Sequence, residues 1–150
     1  MAAVRPAHRV RQVVNLVNLS TLLGLVVAVV GGAGLRKGPD GLLLGYGYHL
    51  RLPVNPVFTL GNVVVFRDDD SVHVRRPTLL THEARHATQY ALCLGPVMLP
   101  FYGLAAAWSW ICTGDPASRN LFERWAGLKD GGYRERPLRR TFRRGRSGRF

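Results

Sequence analysis

A chain of 150 residues is long enough for one ordinary domain and too short for an enzyme with separate cofactor and substrate domains. Its 47% apolar and 20% charged residues are not typical of a disordered protein, and its two cysteines exclude a disulfide-stabilised scaffold. The formal net charge of +12, from 21 Lys and Arg against 9 Asp and Glu, favours anionic partners.

The first long feature is an uncharged, mostly apolar stretch over residues 13–35, with basic residues before it and Arg36-Lys37 after it. About 20 apolar residues are enough to cross a bilayer. We therefore predict a basic N-terminus and a transmembrane anchor over residues 1–37, in a single-pass protein of the bacterial inner membrane. Two alternatives remain open, a cleaved signal peptide ending near residues 32–34 and a buried helix. The basic N-terminal flank favours a cytoplasmic N-terminus, but the charges of the two flanks are nearly balanced, so the orientation is only weakly specified.

Strand and helix patterns follow in turn. Residues 42–52 alternate between two faces, and residues 57–67 are rich in β-branched and aromatic side chains, so both predict strands. Gly61-Asn62 predicts a bulge or a turn within the second strand. A helix is expected from Pro77 to about Leu94, and another from Asp115-Pro116 to about Leu128. We therefore predict an α+β fold, with an N-terminal hydrophobic helix and short antiparallel strands that are followed by three helices.

The helix from Pro77 contains His82-Glu83-Ala84-Arg85-His86, an H-E-x-x-H match. Two histidines four residues apart lie one helical turn from each other, so both imidazoles can reach one metal ion. Glu83 lies beside that ion and can accept a proton from a water molecule that the metal activates. The pattern predicts a metal site with Glu83 as the catalytic base.

A catalytic zinc ion usually has three protein ligands. The predicted third ligand is Glu123, which lies among apolar residues of the later helix, where a buried carboxylate needs a cation. A salt bridge from Glu123 to Arg119 or Arg124 is the alternative. His73 and His49 are weaker candidates for the third ligand.

These residues resemble the gluzincin branch of the zincin metallopeptidases. The resemblance is to their short single-domain forms, the minigluzincins, and to small bacterial zincin-like domains of unknown function. It covers roughly residues 55–128 and includes the Gly61-Asn62 step before the helix and Gln89 three residues after the second histidine. It implies a minimal zincin-like core in which His82, His86 and Glu123 bind zinc and Glu83 is the base.

The chain departs from the gluzincin pattern at two places. Gly127 stands where the family often has an acidic residue four positions after the ligand glutamate. A residue that would donate a hydrogen bond to the oxyanion is not identified, although Tyr133, Tyr102 and His73 are candidates.

A shared metal site also constrains the apolar residues 89–114. If residues 91–112 crossed a bilayer, His86 and Glu123 would be separated by about 30 Å, whereas zinc ligands lie about 2 Å from the ion. We therefore expect this stretch to form an apolar helix that covers the metal helix.

Residues 134–150 hold eight of the arginines and one glutamate. This composition predicts a mobile basic tail that binds anionic lipid or nucleic acid, with a merely solvated tail as the alternative.

Together these patterns predict an anchor at residues 1–37, a zincin-like metal-binding domain at 38–133 and the basic tail at 134–150. The expected function is that of a membrane-associated zinc metallopeptidase that hydrolyses peptide bonds in a peptide or protein substrate. The alternatives are a catalytically inactive, membrane-anchored zinc-binding scaffold and a protein that binds anionic surfaces.

Overall fold

A computed structural model describes residues 5–69 and 75–143. Within these ranges the fold is α+β, with a four-stranded sheet and six α-helices, which confirms the predicted fold class at this level. The chain divides into two compact units, residues 1–98 and 99–150, and each is described by itself.

The elements of the first unit are α1 (Pro6–Val17), α2 (Ser20–Val30), β1 (Gly34–Lys37), β2 (Leu43–Tyr46), β3 (Val57–Leu60), β4 (Val63–Phe66) and α3 (Pro77–Leu92). Helix α4 (Met98–Thr113) begins at the last residue of this unit and continues into the second one. The second unit also contains α5 (Leu121–Ala126) and α6 (Arg140–Arg143).

The sheet has the strand order β1-β2-β4-β3. Strands β1 and β2 are antiparallel, as are β3 and β4, but β2 and β4 pair in parallel. The expectation of antiparallel strands alone is therefore wrong. The reason is the tight turn at Gly61-Asn62, which reverses the chain after β3 and returns β4 beside β2 in the direction of β2. All four residues of β4 are buried in the core of this unit.

Two strand predictions need correction. The predicted strand over residues 42–52 ends at Tyr46, because Gly47 adopts a left-handed conformation with φ of 78°. Strand β1 was not predicted, since its first residues continue the apolar N-terminal stretch. All four residues of β1 are exposed, so apolarity was a poor guide to the structure there.

The N-terminal apolar stretch is not one helix. Helices α1 and α2 meet at Leu19, which has a φ of 69°, and their axes differ by 75°. Within the described residues, no single helix is long and apolar enough to cross a membrane. Two pairs of neighbouring helices are long and apolar enough only when their lengths are combined, and each pair is bent at its junction. Helices α1 and α2 form one of these pairs. The predicted N-terminal hydrophobic helix that serves as a transmembrane anchor is therefore unconfirmed.

In the second unit, the predicted helix from Asp115 is shorter than expected. Asp115 instead closes a turn, in which its Oδ2 accepts a hydrogen bond from the backbone N–H of Ser118 at 2.7 Å. Helix α5 starts later, where the side chain of Asn120 accepts a hydrogen bond from the N–H of Phe122 at 3.0 Å. It ends at Gly127, whose φ is 92°.

The described part of the basic tail contacts the rest of the second unit. The backbone N–H of Arg136 donates to Ser118 Oγ, and that of Arg139 donates to the carbonyl of Cys112, each at 2.8 Å. Glu135 forms an ion pair with Arg124 at 2.8 Å. Residues 144–150 lie outside the described residues, so the predicted mobility of the tail stays a prediction.

Candidate metal centre

Helix α3 presents its two histidines on its buried side. Pro77 occupies the first turn, where the N–H that proline lacks would have no helical partner. His82 and His86 are both buried, together with Leu79, Gln89 and Tyr90 on the same stripe. The spacing of four residues therefore gives the arrangement expected from the sequence, with both imidazoles on one face.

The two imidazoles approach each other through their Nε2 atoms. His82 Nε2 and His86 Nε2 are 3.0 Å apart, and the ring centroids are separated by 4.6 Å. Two nitrogens that each lie about 2.0 Å from a tetrahedral zinc ion are about 3.3 Å apart, so a small shift suffices to admit the ion. The pair fits a shared metal.

Gln89 fixes the orientation of the second histidine. Its Oε1 lies 2.8 Å from His86 Nδ1, and both side chains are buried. Because an amide oxygen can only accept, Nδ1 is the donor, and the lone pair of a neutral imidazole is then on Nε2. A hydrogen bond of this kind is the usual companion of a metal-binding histidine.

Glu83 is held by a strand that packs against α3. Thr59, in β3, donates a hydrogen bond from its Oγ1 to Glu83 Oε2 at 2.6 Å, and both residues are buried. The sequence reasoning missed Thr59, whose only signal was a single hydroxyl among apolar neighbours in a strand. Burial, followed by the negative charge of Glu83, raises the pKa of Tyr90, so this phenol stays protonated.

Glu123 has a defined partner within the second unit. It lies in the first turn of α5 and is 2% exposed. Tyr102 in α4 donates a hydrogen bond from its hydroxyl to Glu123 Oε1. Arg119 and Arg124, the predicted alternative partners of Glu123, both form ion pairs with Glu135, at 3.8 and 2.8 Å.

The three predicted ligands are all buried, His82 and His86 in the first unit and Glu123 in the second. Among residues 5–69 and 75–143 they are the group of His, Cys, Asp and Glu residues that could hold a metal ion. Two imidazole nitrogens and a carboxylate oxygen are the donor set of a catalytic zinc site with one open position.

The other candidates are placed elsewhere or not at all. His49 lies in the loop after β2, where its backbone N–H donates to the carbonyl of Gly31 at 3.1 Å. His73 lies outside the described residues. Tyr133 lines a surface cavity of about 700 Å³ in the second unit. Tyr102, another candidate for oxyanion binding, donates its hydroxyl hydrogen bond to Glu123.

Comparisons of the chain with protein-family models, with curated proteins and with solved structures find no match. The resemblance to gluzincins therefore depends on the H-E-x-x-H match, Glu123, Gln89 and the Gly61-Asn62 step.

Proposed function

We propose that the chain is a membrane-associated, zinc-dependent hydrolase of the gluzincin type that cleaves peptide bonds. In this proposal His82, His86 and Glu123 hold the zinc ion and Glu83 is the catalytic base. The minimal zincin-like core that the resemblance implies would be formed by the sheet with α3 and by the helix that carries Glu123. The substrate is a peptide or a protein.

The observation that carries the proposal is the buried group of His82, His86 and Glu123. Removing three ionisable side chains from water is costly unless they are paired or bind a metal. A divalent cation binds the lone pairs of both neutral imidazole nitrogens and balances the negative charge of the carboxylate. The hydrogen bond from His86 to Gln89 supports the same assignment, because it directs Nε2 of His86 toward Nε2 of His82.

When bound, zinc would lower the pKa of water and polarise the carbonyl of the scissile bond. Glu83 would accept a proton from the attacking water, whose oxygen forms a bond to the carbonyl carbon. As the C–N bond breaks, Glu83 would pass that proton to the leaving amine. The hydrogen bond from Thr59 holds one oxygen of the Glu83 carboxylate, so the base is positioned before the substrate arrives.

Substitution Glu83→Gln tests the proposal, because it removes the base and nearly keeps the shape. We expect peptide hydrolysis by the purified, zinc-loaded chain to fall by about 10² to 10⁴-fold while zinc content is unchanged. The matched control is Arg85→Gln, an exposed change on the same helix. A wild-type chain that holds zinc, hydrolyses no peptide and behaves in cells like the Glu83→Gln variant would instead be the zinc-binding scaffold.

Association with a membrane is part of the proposal, and the inner membrane of a bacterium is the proposed location. It is supported by large apolar side chains that α1 and α2 expose, among them Val17, Val29 and Val30 at 75%, 64% and 65%. Isolated exposed apolar residues are common on water-soluble proteins, but a continuous set on two successive helices marks an interaction surface.

A further inference from the structure

Helix α1 has its polar and apolar sides reversed, and helix α2 exposes apolar side chains. The buried residues of α1 are Arg11 and Asn15, both polar. Arg9 is exposed in the first turn, and the large side chains exposed after it are apolar, namely Val10, Val13, Leu16 and Val17. Helix α2 continues this surface with Leu22, Val26, Val29 and Val30. A helix on the surface of a protein in water shows the opposite pattern, with apolar residues turned to the core. A set of exposed apolar side chains of this kind marks an interaction surface.

The inward polar side chains attach the two helices to the rest of the first unit. Asn15 donates from Nδ2 to the carbonyl of Ala87 at 2.8 Å and to Asn62 Oδ1 at 3.1 Å. Asn18 donates to the carbonyl of Tyr90 at 3.2 Å. These bonds reach α3 and the turn between β3 and β4. The two helices, which we call the α1–α2 elbow (residues 6–30), are thus part of the folded unit.

The chain enters and leaves the elbow at the same place. Arg11 donates from Nη2 to the carbonyl of Asp40 at 2.6 Å, and Gln12 donates from Nε2 to the carbonyl of Gly41 at 2.9 Å. These bonds join the middle of α1 to the segment just after β1, and His8 Nδ1, near the start of α1, lies 2.9 Å from Asp40 Oδ1. A single crossing of a membrane would separate the two segments by about 30 Å. Helices of about 18 Å and about 17 Å are also too short to cross alone.

Positive charge lies at both ends of the elbow. Arg5 and Arg9 stand before or within the first turn of α1, and Arg36-Lys37 follows α2 in β1. A cavity of about 350 Å³ beside the start of α1 is lined by Arg5, His8, Arg11 and Arg85, with Asp40 as its one acidic residue. Basic residues are enriched on the anionic, cytoplasmic side of membranes. Equal charge at both ends leaves a single span without a preferred direction, but it suits two ends on one side.

We propose that the α1–α2 elbow is a re-entrant membrane insertion that enters one leaflet of an anionic bilayer and returns to the side from which it came. Its apolar outer surface contacts acyl chains, and the arginines at its ends contact lipid phosphates. This inference rests on the membrane association in the proposed function and is independent of zinc binding. In this proposal the chain does not cross the membrane and is attached to one side of it.

Labelling of introduced cysteines tests the topology in the full-length chain. The background carries Cys93→Ala and Cys112→Ala, and the probes are Ala7→Cys, Lys37→Cys and Val26→Cys. We expect a membrane-impermeant maleimide to label residues 7 and 37 from the same side, in intact cells or in inverted vesicles, and residue 26 only after detergent. Labelling of residues 7 and 37 from opposite sides would show a single span and overturn the proposal.

A second experiment tests the apolar surface itself. The double substitution Val26→Arg with Val29→Arg should lower binding of the purified chain to phosphatidylglycerol vesicles by roughly tenfold or more. The control, Leu52→Arg with Val54→Arg, changes two exposed apolar residues in the loop before β3 and should not lower binding. Equal binding of the two double variants to the vesicles would overturn the proposal. Release of the wild-type chain from membranes by alkaline carbonate, as a dimer, would also overturn it.

Zinc content, measured on the same samples, separates the two hypotheses. Loss of the expected topology with zinc still bound refutes the membrane insertion alone. The expected topology in a chain that binds no zinc refutes the hydrolase alone.

Discussion

Thr59 Oγ1 donates a hydrogen bond to Glu83 Oε2 at 2.6 Å and thereby connects strand β3 to the helix of the two histidines. The contact is buried on both sides. A carboxylate on a helix turn can adopt several rotamers, and a short bond from a rigid strand restricts it to one. The position of the proposed base therefore depends on a residue 24 positions earlier in the chain.

The substitution Thr59→Val should lower hydrolysis and leave zinc binding unchanged. Valine has nearly the same shape but cannot donate, so Glu83 loses the bond that positions it. We expect kcat/KM for a peptide to fall by roughly tenfold, with the zinc content of the wild type. Thr59→Ser keeps the hydroxyl and is the control, with activity near that of the wild type. Equal activity of the valine and serine variants would show that the bond has no role in catalysis.

Gln89 should control zinc affinity through His86. Loss of a hydrogen-bond partner of a metal-binding histidine typically costs about 10 to 100-fold in affinity. We expect the dissociation constant for zinc of the Gln89→Leu variant, measured by competition with a chelator, to rise by that factor. The control is Thr88→Val, which removes a hydroxyl bonded at 3.1 Å to the carbonyl of Ala84 on the same helix. An unchanged affinity in the Gln89→Leu variant would argue against His86 as a ligand.

Alanine substitutions at Gly61 and Gly47 distinguish the energetic cost of backbone strain from the cost of a steric clash. Both have positive φ, 60° and 78°, so alanine at either position is strained by about 1 to 2 kcal/mol. A Cβ at Gly61 would lie 2.4 Å from the backbone nitrogen of Thr21, whereas a Cβ at Gly47 would meet nothing within 4 Å. We expect Gly61→Ala to lower the free energy of unfolding by at least about 1 kcal/mol more than Gly47→Ala, as overpacking usually does. Equal losses in denaturant titrations would contradict the packing of α2 on this turn.

The ion pair of Glu135 should make a small contribution to stability at neutral pH. The hydrogen bond from Arg124, and then the charge of Arg124, lower the pKa of the Glu135 carboxyl from its ordinary value of 4.5. Because the pKa is lower in the folded chain, the ion pair stabilises the fold at pH values above the pKa of Glu135 in the unfolded chain. This contribution is lost as the pH falls through the pKa of Glu135 in the folded chain. NMR titration should show a midpoint for Glu135 below 4.5 in the wild type and a higher one in the Arg124→Gln variant. A midpoint that this substitution leaves in place would contradict the pairing.

What the sequence predicted well was local. Spacing of four residues on a helix places His82 and His86 on one face whatever the rest of the fold is, and Pro77 marks where that helix begins. The Gly61-Asn62 step predicted a turn or a bulge for the same reason, because it depends on neighbours in the chain.

What the sequence did not predict depends on distant partners. The parallel pairing of β2 with β4 follows from the path of the whole sheet. The contact between Thr59 and Glu83 joins two elements whose separate patterns carry no sign of it. The hydropathy of residues 13–35 carries no sign of what Asn15 and Asn18 contact. In the folded chain these two residues bind α3, and the helices bend between them and the remainder of the stretch.

The metal content of the purified chain tests the central claim most directly. Elemental analysis of the wild type should find one zinc ion per chain, and the same analysis should find almost none in the His86→Ala and Glu123→Ala variants, provided that both remain folded by circular dichroism. A folded wild-type chain without stoichiometric metal, or variants that keep the metal of the wild type, would contradict a zinc site formed by His82, His86 and Glu123.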